Sequence, residues 1–401
     1  MTEIRQSIRS SSVYFTVYFL LGVTIALIGA SMPYLAEMTG VEVTSLGYLF
    51  STRSFGYLLG AFIAGRLYDR YPGHLLMAGL MAMIGLAAVF MPFSATTIIL
   101  AVLMFLTGMG LGGSDLGGNT LVMWRFKERS GPFINGMFFF SGLGGILAPL
   151  MLELVLRKEL YFGWAYWILA ISILLVVIWL LARQSPGIPE VDALLGDGTV
   201  NFRLVALFGV MLFIFVSIEV SFGGWIYSYV LATEGGNSSL AAYLTSGFWL
   251  AVTLGRLAMI PVTIRIKQRA IIWVSMSGVA FFLAVILLNP GSFVVDFIGT
   301  LGLGLFFSSL SPVTLSYAER SLPIHGRITG ILWVFGSAGA IVTPWLAGKL
   351  MGLTDPVALV VLLFVYTVIG LIVFLGLNLY QSRCSNFREG NRVDTQNEYN
   401  N

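Results

Sequence analysis

The chain has 401 residues, of which 57% are hydrophobic and only 10% are charged, and its mean hydropathy is +0.90. Soluble domains carry about 25% charged residues, so this chain has too few to cover a water-exposed surface. Its single cysteine, Cys384, excludes a disulfide scaffold, and the net charge of +3 is spread along the chain, which argues against a nucleic-acid-binding surface. The composition predicts a polytopic membrane protein that is embedded in the lipid bilayer.

Twelve continuous apolar segments follow one another, and each can cross a membrane as a helix, since about 20 residues span the hydrocarbon layer. The ten-residue alternation typical of membrane β-barrels does not occur in them, so we expect helices that satisfy their own backbone hydrogen bonds. The first segment is too long for the core of a signal peptide. The predicted spans are residues 13–36, 44–67, 75–94, 97–122, 133–154, 162–182, 203–232, 240–260, 270–288, 293–318, 326–350 and 355–379.

The distribution of lysine and arginine predicts the orientation of the chain. With the N-terminus inside, eighteen of the 22 basic residues fall on cytoplasmic segments and three on outer segments, while Arg53 falls within a span. This bias places both termini in the cytoplasm, for a protein of the cell (inner) membrane. The polar interruption near the midpoint predicts four parts: a six-helix bundle at 1–182, a cytoplasmic linker at 183–202, a second six-helix bundle at 203–380 and a polar cytoplasmic tail at 381–401.

The two predicted halves resemble each other in sequence. A shift of 190 residues places Gly65-Arg66-Leu67 on Gly255-Arg256-Leu257. Parallel repeats of six helices are typical of major facilitator proteins. A shift of 194 residues places five glycines of the first half, Gly108, Gly110, Gly136, Gly142 and Gly145, on Gly302, Gly304, Gly330, Gly336 and Gly339.

The segment after the second span strengthens this resemblance. It reads Gly65-Arg66-Leu67-Tyr68-Asp69-Arg70 and resembles the signature G-x-L-A-D-R-x-G-R-K without its basic tail. The chain is therefore identified as a member of the major facilitator superfamily, which implies an all-α membrane protein with twelve transmembrane helices in two pseudo-symmetric six-helix bundles, and we expect a monomer. The resemblance also implies a cytoplasmic gate held by charges at helix ends. We assign to it Gly65, Asp69, Arg70 and, from the repeat, Arg256.

Three stretches resemble the branch of fucose–proton symporters and sodium-dependent glucose transporters. They are the glycine-rich fourth span from Gly108 to Asn119, the segment Ile218–Tyr227 and the segment Gly29–Pro33. In that branch an acidic residue of helix 4, here Asp115, and an asparagine four residues later, here Asn119, serve ion coupling and sugar recognition. Gly29 stands where fucose symporters carry an aspartate, so the resemblance is closer to the sodium–glucose-like members.

The glycine pattern of the fourth span has two interpretations. The spacing Gly108-x-Gly110-x-x-Gly113 fits the dinucleotide-binding fingerprint, but that fingerprint requires a preceding strand, and here it lies inside a long apolar segment. We therefore expect no cofactor. The four-residue glycine spacings that begin at Gly56 and Gly108 are typical of close helix packing in membranes instead.

Arg53, Asp115 and Glu219 are the predicted ion-coupling residues. A charge inside a span costs several kcal/mol unless it is paired or hydrated. At about 1.5 Å per residue, Arg53 and Glu219 are better matched in depth than Arg53 and Asp115, so we expect Arg53 and Glu219 to pair across the halves. Asp115 is then free to take up a proton or to bind sodium with help from Asn119. The alternative is that Asp115 only holds neighbouring helices together by hydrogen bonds.

Sugars are recognised by amides, hydroxyl groups and aromatic platforms. The candidates for a central cavity are Asn119, Trp225, Tyr227, Trp249 and Trp333. Tryptophan and tyrosine also form belts at membrane interfaces, which is the alternative for each aromatic residue.

The leading functional hypothesis is a secondary active transporter that moves a small polar solute, a sugar, by rocking of the two halves, coupled to H⁺ or Na⁺. An exporter of drugs or amphipathic compounds with the same fold is the first alternative. A membrane-embedded enzyme is the remote one, because it needs a nucleophile–base pair or a metal cluster. His74 and His325 fall in predicted cytoplasmic loops, and Cys384 falls in the tail.

Overall fold

The computed structural model describes residues 2–127, 130–187, 202–321 and 326–399. Within these ranges the chain is helical throughout its regular structure and contains no strand, which confirms the predicted all-α membrane fold. Two short 3-10 turns lie at Val43–Gly47 and Met91–Phe93. The helices are α1 Thr2–Thr39, α2 Tyr48–Tyr68, α3 Gly73–Phe90, α4 Thr97–Phe126, α5 Gly131–Arg157, α6 Gly163–Leu181, α7 Phe202–Thr233, α8 Ser238–Arg265, α9 Gln268–Leu288, α10 Phe293–Phe307, α11 Leu310–Ser321, α12 Gly326–Leu353 and α13 Ala358–Tyr399.

The predicted tenth span forms two helices, α10 and α11, instead of one. A continuous helix would need a backbone N–H at Pro312 to bond the carbonyl of Ser308, and proline has none. The helix therefore breaks at Ser308 and Ser309 and restarts at Leu310, which places Pro312 in the first turn of α11, where the missing donor is tolerated. Together the two helices still form one apolar segment from Phe293 to Ala318.

Among the described residues, eleven helical segments are long and apolar enough to cross a membrane. The helix at the predicted second span, α2, is not one of them, because Arg53, Arg66 and several small polar residues lower its mean hydropathy. This helix packs along α4 and against α12, so much of its polar surface is covered by protein.

The first six helices and the last seven contact each other mainly at one end. Helix α6 ends at Leu181 and α7 begins at Phe202, and we call this side of the bundle the linker end and the opposite side the distal end. The main contacts between the halves join α1 to α7, α5 to α8, and α2 with the Val43–Gly47 turn to α12. Since most of their side-chain contacts lie toward the distal end, the gap between the halves opens toward the linker end.

Glycines let α2 and α4 approach each other at backbone distance. A Cβ atom on Gly108 would overlap the carbonyl oxygen of Arg53, and one on Gly112 would overlap that of Tyr57. The contact is reciprocal, because side chains at two α2 glycines would overlap the carbonyl oxygens of α4. These pairs are Gly56 with Phe105 and Gly60 with Met109. The predicted role of the four-residue glycine spacing in helix packing is confirmed.

The internal repeat differs by one residue from the sequence alignment in α5 and α12. A Cβ on Gly144 would overlap the carbonyl oxygen of Phe19 on α1, and one on Gly339 would overlap that of Phe213 on α7. The structural equivalent of Gly339 is therefore Gly144. The shift of 194 residues had matched Gly339 with Gly145, which faces α8 of the other half.

Replacing Gly112 by alanine should destabilise the protein, because its methyl group would collide with the Tyr57 carbonyl and separate α2 from α4. Overpacking of this kind costs about 1–3 kcal/mol, and thermal unfolding in detergent should show a clearly lower Tm. The matched control is Gly79→Ala on α3, since no atom lies within 4 Å of the position that a methyl group would take at Gly79. An equal Tm for the two variants would contradict the assigned packing.

Candidate functional site

Asp115 lies at the centre of a hydrogen-bond network that joins α1, α2 and α4. Its carboxylate oxygen Oδ2 accepts a hydrogen bond from the Tyr57 hydroxyl, and its backbone carbonyl accepts one from the Tyr18 hydroxyl at 2.8 Å. The Asn119 amide donates to the Tyr18 hydroxyl at 2.8 Å and to the Asp115 carbonyl at 3.0 Å, and its nitrogen lies 3.5 Å from Oδ1. Asp115 and Asn119, one turn apart on α4, therefore belong to one hydrogen-bond network.

The two glycines between Asp115 and Asn119 make room for the aromatic residues of this network. A Cβ on Gly117 would overlap the hydroxyl of Tyr68, and one on Gly118 would overlap the ring of Tyr18. The sequence Asp-Leu-Gly-Gly-Asn thus encodes both the polar groups and the space in which Tyr18 reaches them.

Glu219 forms an ion pair with Arg256, and the expected pair with Arg53 is wrong in this conformation. The Arg256 Nη2 atom lies 3.0 Å from Glu219 Oε1, and both side chains are partly buried. Arg256 lies within the predicted span 240–260 and inside helix α8, which extends to Arg265. The repeat aligned it with Arg66, two residues before the end of α2, and its gate role stays a prediction.

Arg256 brings the second half of the protein to the level of Asp115. Asp115 lies eighteen residues after Thr97, and Arg256 lies eighteen residues after Ser238, and both helices begin at the distal end. Each therefore lies about 27 Å along its helix. Arg256 is close enough to act electrostatically on Asp115, and its guanidinium lies 5.9 Å from the ring centroid of Phe138 on α5. Asp115, Arg256 and Glu219 thus form one charged cluster that spans both halves.

Arg53 lies closer to the distal end and is separate from this cluster. Only 9% of its surface is exposed, and its Nε atom has no hydrogen-bond partner. Among the described residues, no carboxylate pairs with Arg53. Its guanidinium carbon lies 6.0 Å from the ring centroid of Phe50, one turn away on α2.

Trp225 and Tyr227, two predicted substrate-binding residues, close the distal end in this structure. Trp225 is fully buried, donates from Nε1 to the Pro344 carbonyl at 2.8 Å, and packs edge-on against Phe50 with 5.4 Å between ring centroids. The hydroxyl of Tyr227 lies 3.2 Å from that of Tyr34 on α1. The Trp225–Pro344 bond lies within the second half, whereas the contacts of Trp225 with Phe50 and of Tyr227 with Tyr34 join the two halves and close the distal side.

A polar network fastens α5 to α8 above this aromatic closure. Glu153 Oε1 accepts hydrogen bonds from Arg157 Nε at 2.9 Å and from the Ser239 hydroxyl. Arg157 Nη2 donates to Ser239 at 3.0 Å and to the Tyr243 hydroxyl at 3.1 Å. Because Glu153 is buried while it bonds to Ser239 of the other half, this network is a charged connection between the halves at the distal end. Only the presence of two charged residues near the end of a span could have signalled it from the sequence.

The other aromatic candidates differ in their surroundings. Trp249 on α8 is half-buried against Gly145 and Gly223, and its indole Nε1 is buried without a hydrogen-bond partner. Trp333 on α12 is 50% exposed and makes no ring contact or hydrogen bond within the described part of the chain. Trp249 therefore has an unused donor for a ligand, whereas the structure brings Trp333 to no other site residue.

The predicted gate residues of the signature segment lie at the linker end. Asp69 follows the last residue of α2, and both Asp69 and Arg70 are exposed. Over the described ranges neither forms an ion pair, and Gly65 makes an ordinary van der Waals contact with Leu116. Arg256 is not beside them, so the gate assignment of Gly65, Asp69 and Arg70 stays a prediction for a conformation in which this end is closed.

His74 is not in a loop, as the sequence analysis expected, but is buried in the first turn of α3. The Tyr14 hydroxyl lies 2.8 Å from His74 Nε2, and His74 Nδ1 lies 3.2 Å from the Arg183 carbonyl. His74 thus attaches the end of α6 to α1 and α3. His325 and the side chain of Cys384 lie outside the described residues, and the described part of the chain holds no cluster of three potential metal-ligating side chains.

Charge reversal distinguishes the observed ion pair from the expected one. Glu219→Arg or Arg256→Glu alone should lower transport roughly ten-fold or more, since hydrogen bonds between charged groups contribute about 1.5–3 kcal/mol. The double reversal should recover a large part of the initial uptake rate in proteoliposomes, and Glu219→Arg combined with Arg53→Glu should not. Arg265→Gln, an exposed change at the end of α8, is the control; rescue by the Arg53 combination alone would refute the assignment.

Glu153→Gln should loosen the distal closure, because a neutral amide accepts more weakly from Ser239 of the other half and no longer holds Arg157 in place for its bonds to Ser239 and Tyr243. Spin labels at Lys158 and Leu353, one in each half, report the opening in a Cys384→Ser background. Double electron–electron resonance should reveal an added population at longer distance. The exposed Glu159→Gln is the control, and an unchanged distance distribution for Glu153→Gln would exclude the network from the closure.

The chain is similar to known transporters over most of its length. Residues 14–235 match the sequence model described as Major Facilitator Superfamily. Sodium-dependent glucose transporter 1 of Homo sapiens is 26% identical over 374 residues, which cover 83% of this chain and 71% of that protein. Major facilitator superfamily domain-containing protein 4B of Danio rerio is 24% identical over 442 residues, covering 88% of this chain and 82% of that protein.

Solved structures show the same fold. The nucleoside transporter NupG superposes with a TM-score of 0.73 at 14% sequence identity, covering 91% of this chain and 99% of its own. A D-xylose–proton symporter superposes with a TM-score of 0.72 at 16% identity, covering 92% and 96%. Since the family match spans more than half of the sequence, this protein belongs to the Major Facilitator Superfamily and is a multi-pass membrane transporter, not an enzyme.

Proposed function

We propose that the protein is a secondary active transporter that moves a sugar by alternating access, and that Asp115 binds and releases the coupling cation, H⁺ or Na⁺. The observation that carries this proposal is the position of Asp115. Its carboxylate lies deep in α4, hydrogen-bonds to Tyr57, and faces the Arg256–Glu219 pair of the other half. A carboxylate kept so deep in a span is a functional site by default.

The charge cluster offers a route from cation binding to movement of the halves. When Asp115 is charged, it attracts Arg256 across the interface and competes with Glu219 for it. A proton or sodium ion on Asp115 removes that attraction and leaves Arg256 to Glu219 within the second half. Cation occupancy therefore changes the relative free energy of two arrangements of the halves, which is what a ligand must do to shift a conformational equilibrium.

Two polar groups support a sugar as the solute. The Asn119 side chain lies one turn from Asp115 and bonds to Tyr18, and the Trp249 indole presents an unpartnered N–H from α8. Buried unpartnered donors are rare in folded proteins, because each costs free energy, so the Trp249 N–H is suited to a ligand oxygen. The name of the human relative, a sodium-dependent glucose transporter, agrees with this choice of solute and leaves sodium as one of the two cations.

The proposed pathway assigns the distal aromatic residues to closure. In this conformation Trp225 packs against Phe50 and Tyr227 lies against Tyr34, each across the two halves. They become available to a solute only when the halves separate at the distal end. Trp333 and the gate residues Asp69 and Arg70 belong to the opposite movement, at the linker end.

Asp115→Asn should abolish cation-driven accumulation of sugar while exchange of internal for external sugar continues, because the amide keeps the volume and loses the charge that changes on cation binding. The measurement uses proteoliposomes loaded with buffer and exposed in turn to an imposed proton gradient and an imposed sodium gradient, with a panel of labelled neutral and acidic sugars. The gradient that drives wild-type uptake identifies the cation.

Asp355→Asn is the matched control for this experiment, since Asp355 is exposed in the loop between α12 and α13. It should accumulate sugar like the wild type. Wild-type accumulation by Asp115→Asn would remove Asp115 from the coupling step, and failure of every sugar to be taken up by the wild type would remove the proposed solute.

A further inference from the structure

Arg53 is a buried cation with no counter-charge among the described residues. Only 9% of its surface is exposed, its Nε atom has no partner, and no hydrogen bond or ion pair joins it to any described residue. Arginine keeps its charge at every pH that a protein tolerates. A charge inside a span needs an opposite charge or water around it, and no described residue supplies the opposite charge, so Arg53 is suited to an anionic ligand.

The two central carboxylates are already occupied. Glu219 bonds to Arg256 at 3.0 Å, and Asp115 accepts the hydroxyl of Tyr57. Glu153 is held by Arg157 and Ser239 at the distal surface. None of the three is free to neutralise Arg53 without breaking a contact in this conformation.

The place of Arg53 is fixed between the distal closure and the coupling site. Phe50, Arg53 and Tyr57 lie three and four residues apart, so they share one face of α2. Phe50 packs against Trp225 in the closure, and Tyr57 bonds to Asp115. Because the backbone of Arg53 is packed against Gly108, the helix cannot slide to carry the guanidinium elsewhere.

We infer that Arg53 binds an anionic group of the solute, and that the transported sugar is an acidic one that carries a carboxylate. This inference rests on the proposed sugar transport and narrows its substrate class. The guanidinium presents donors in a fork that matches the two oxygens of a carboxylate. A sugar acid would place its carboxylate against Arg53, below the Phe50–Trp225 closure, and its hydroxyl groups toward Trp249, which lies eleven residues after the start of α8 as Gly108, the neighbour of Arg53, lies eleven residues after the start of α4.

The test compares matched neutral and acidic sugars on the full-length purified protein. The probes are glucose with glucuronate and galactose with galacturonate, each pair differing only in a carboxylate at the sixth carbon. Binding is measured as the increase in Tm with ligand concentration, because ligand binding adds directly to stability. We expect the wild type to bind at least one acidic sugar ten-fold or more tighter than its neutral counterpart.

Arg53→Gln should abolish this preference. It should lower the affinity for the acidic sugar ten-fold or more and change the affinity for the neutral sugar less than about three-fold. Arg53→Lys keeps the charge but loses the paired donors of the guanidinium, so its preference for the acidic sugar should lie between those of the wild type and Arg53→Gln. This variant also tests the proposal if Arg53→Gln does not fold. Arg66→Gln, an exposed change on the same helix, is the control and should retain the wild-type preference.

The outcomes separate the two proposals. Binding of neutral sugars without a preference for acidic ones would overturn the role of Arg53 and leave sugar transport in place. An equal loss of affinity for both sugars in a folded Arg53→Gln protein would also overturn the role of Arg53, since Arg53 would then shape the site without recognising the carboxylate. If no sugar of any pair binds to the wild type, the proposed function itself fails.

Discussion

The ion pair between Arg256 and Glu219 organises the centre of this protein, because it decides which charges remain available. A charge in the membrane interior is costly unless it is compensated. With Arg256 committed to Glu219, Asp115 depends on the hydroxyl of Tyr57, and Arg53 has no partner within the described ranges. The Arg256–Glu219 pair thus leaves the Asp115 carboxylate without an ion-pair partner, and it leaves the Arg53 guanidinium, nearer the distal end, without a carboxylate among the described residues.

Glycine packing makes this arrangement possible. Small residues at the α2–α4 contact bring the two backbones together. The same glycines fix the positions of Arg53, Tyr57 and Tyr18 relative to α4. Gly108 sits against the carbonyl of Arg53 and Gly112 against that of Tyr57, while Gly118 admits the ring of Tyr18. The glycines of α4 therefore position neighbouring side chains, which explains why a helix-disfavouring composition is found in the span that carries Asp115.

The sequence predicted the all-α fold, the positions of most apolar helices and the glycine contacts, because these depend on local hydropathy and spacing. It also placed Asp115 and Asn119 side by side, since residues four apart share a helix face. The repeat assigned Arg256 to the gate through its alignment with Arg66, and it did not predict the ion pair of Arg256 with Glu219, because the partner lies on another helix. Tyr57 and Tyr18 were missed as partners of Asp115, since nothing local separates them from other tyrosines in an apolar chain.

The closure at the distal end and the opening at the linker end are consequences of the same interface. At the distal end, Trp225 packs against Phe50 and Glu153 bonds to Ser239, and these two contacts join the halves. Toward the linker end, the signature charges Asp69 and Arg70 stand exposed without a described partner. Arg256 lies between these ends at the depth of Asp115, so a change of charge there acts midway along the interface, where a small rotation of the halves exchanges one set of contacts for the other.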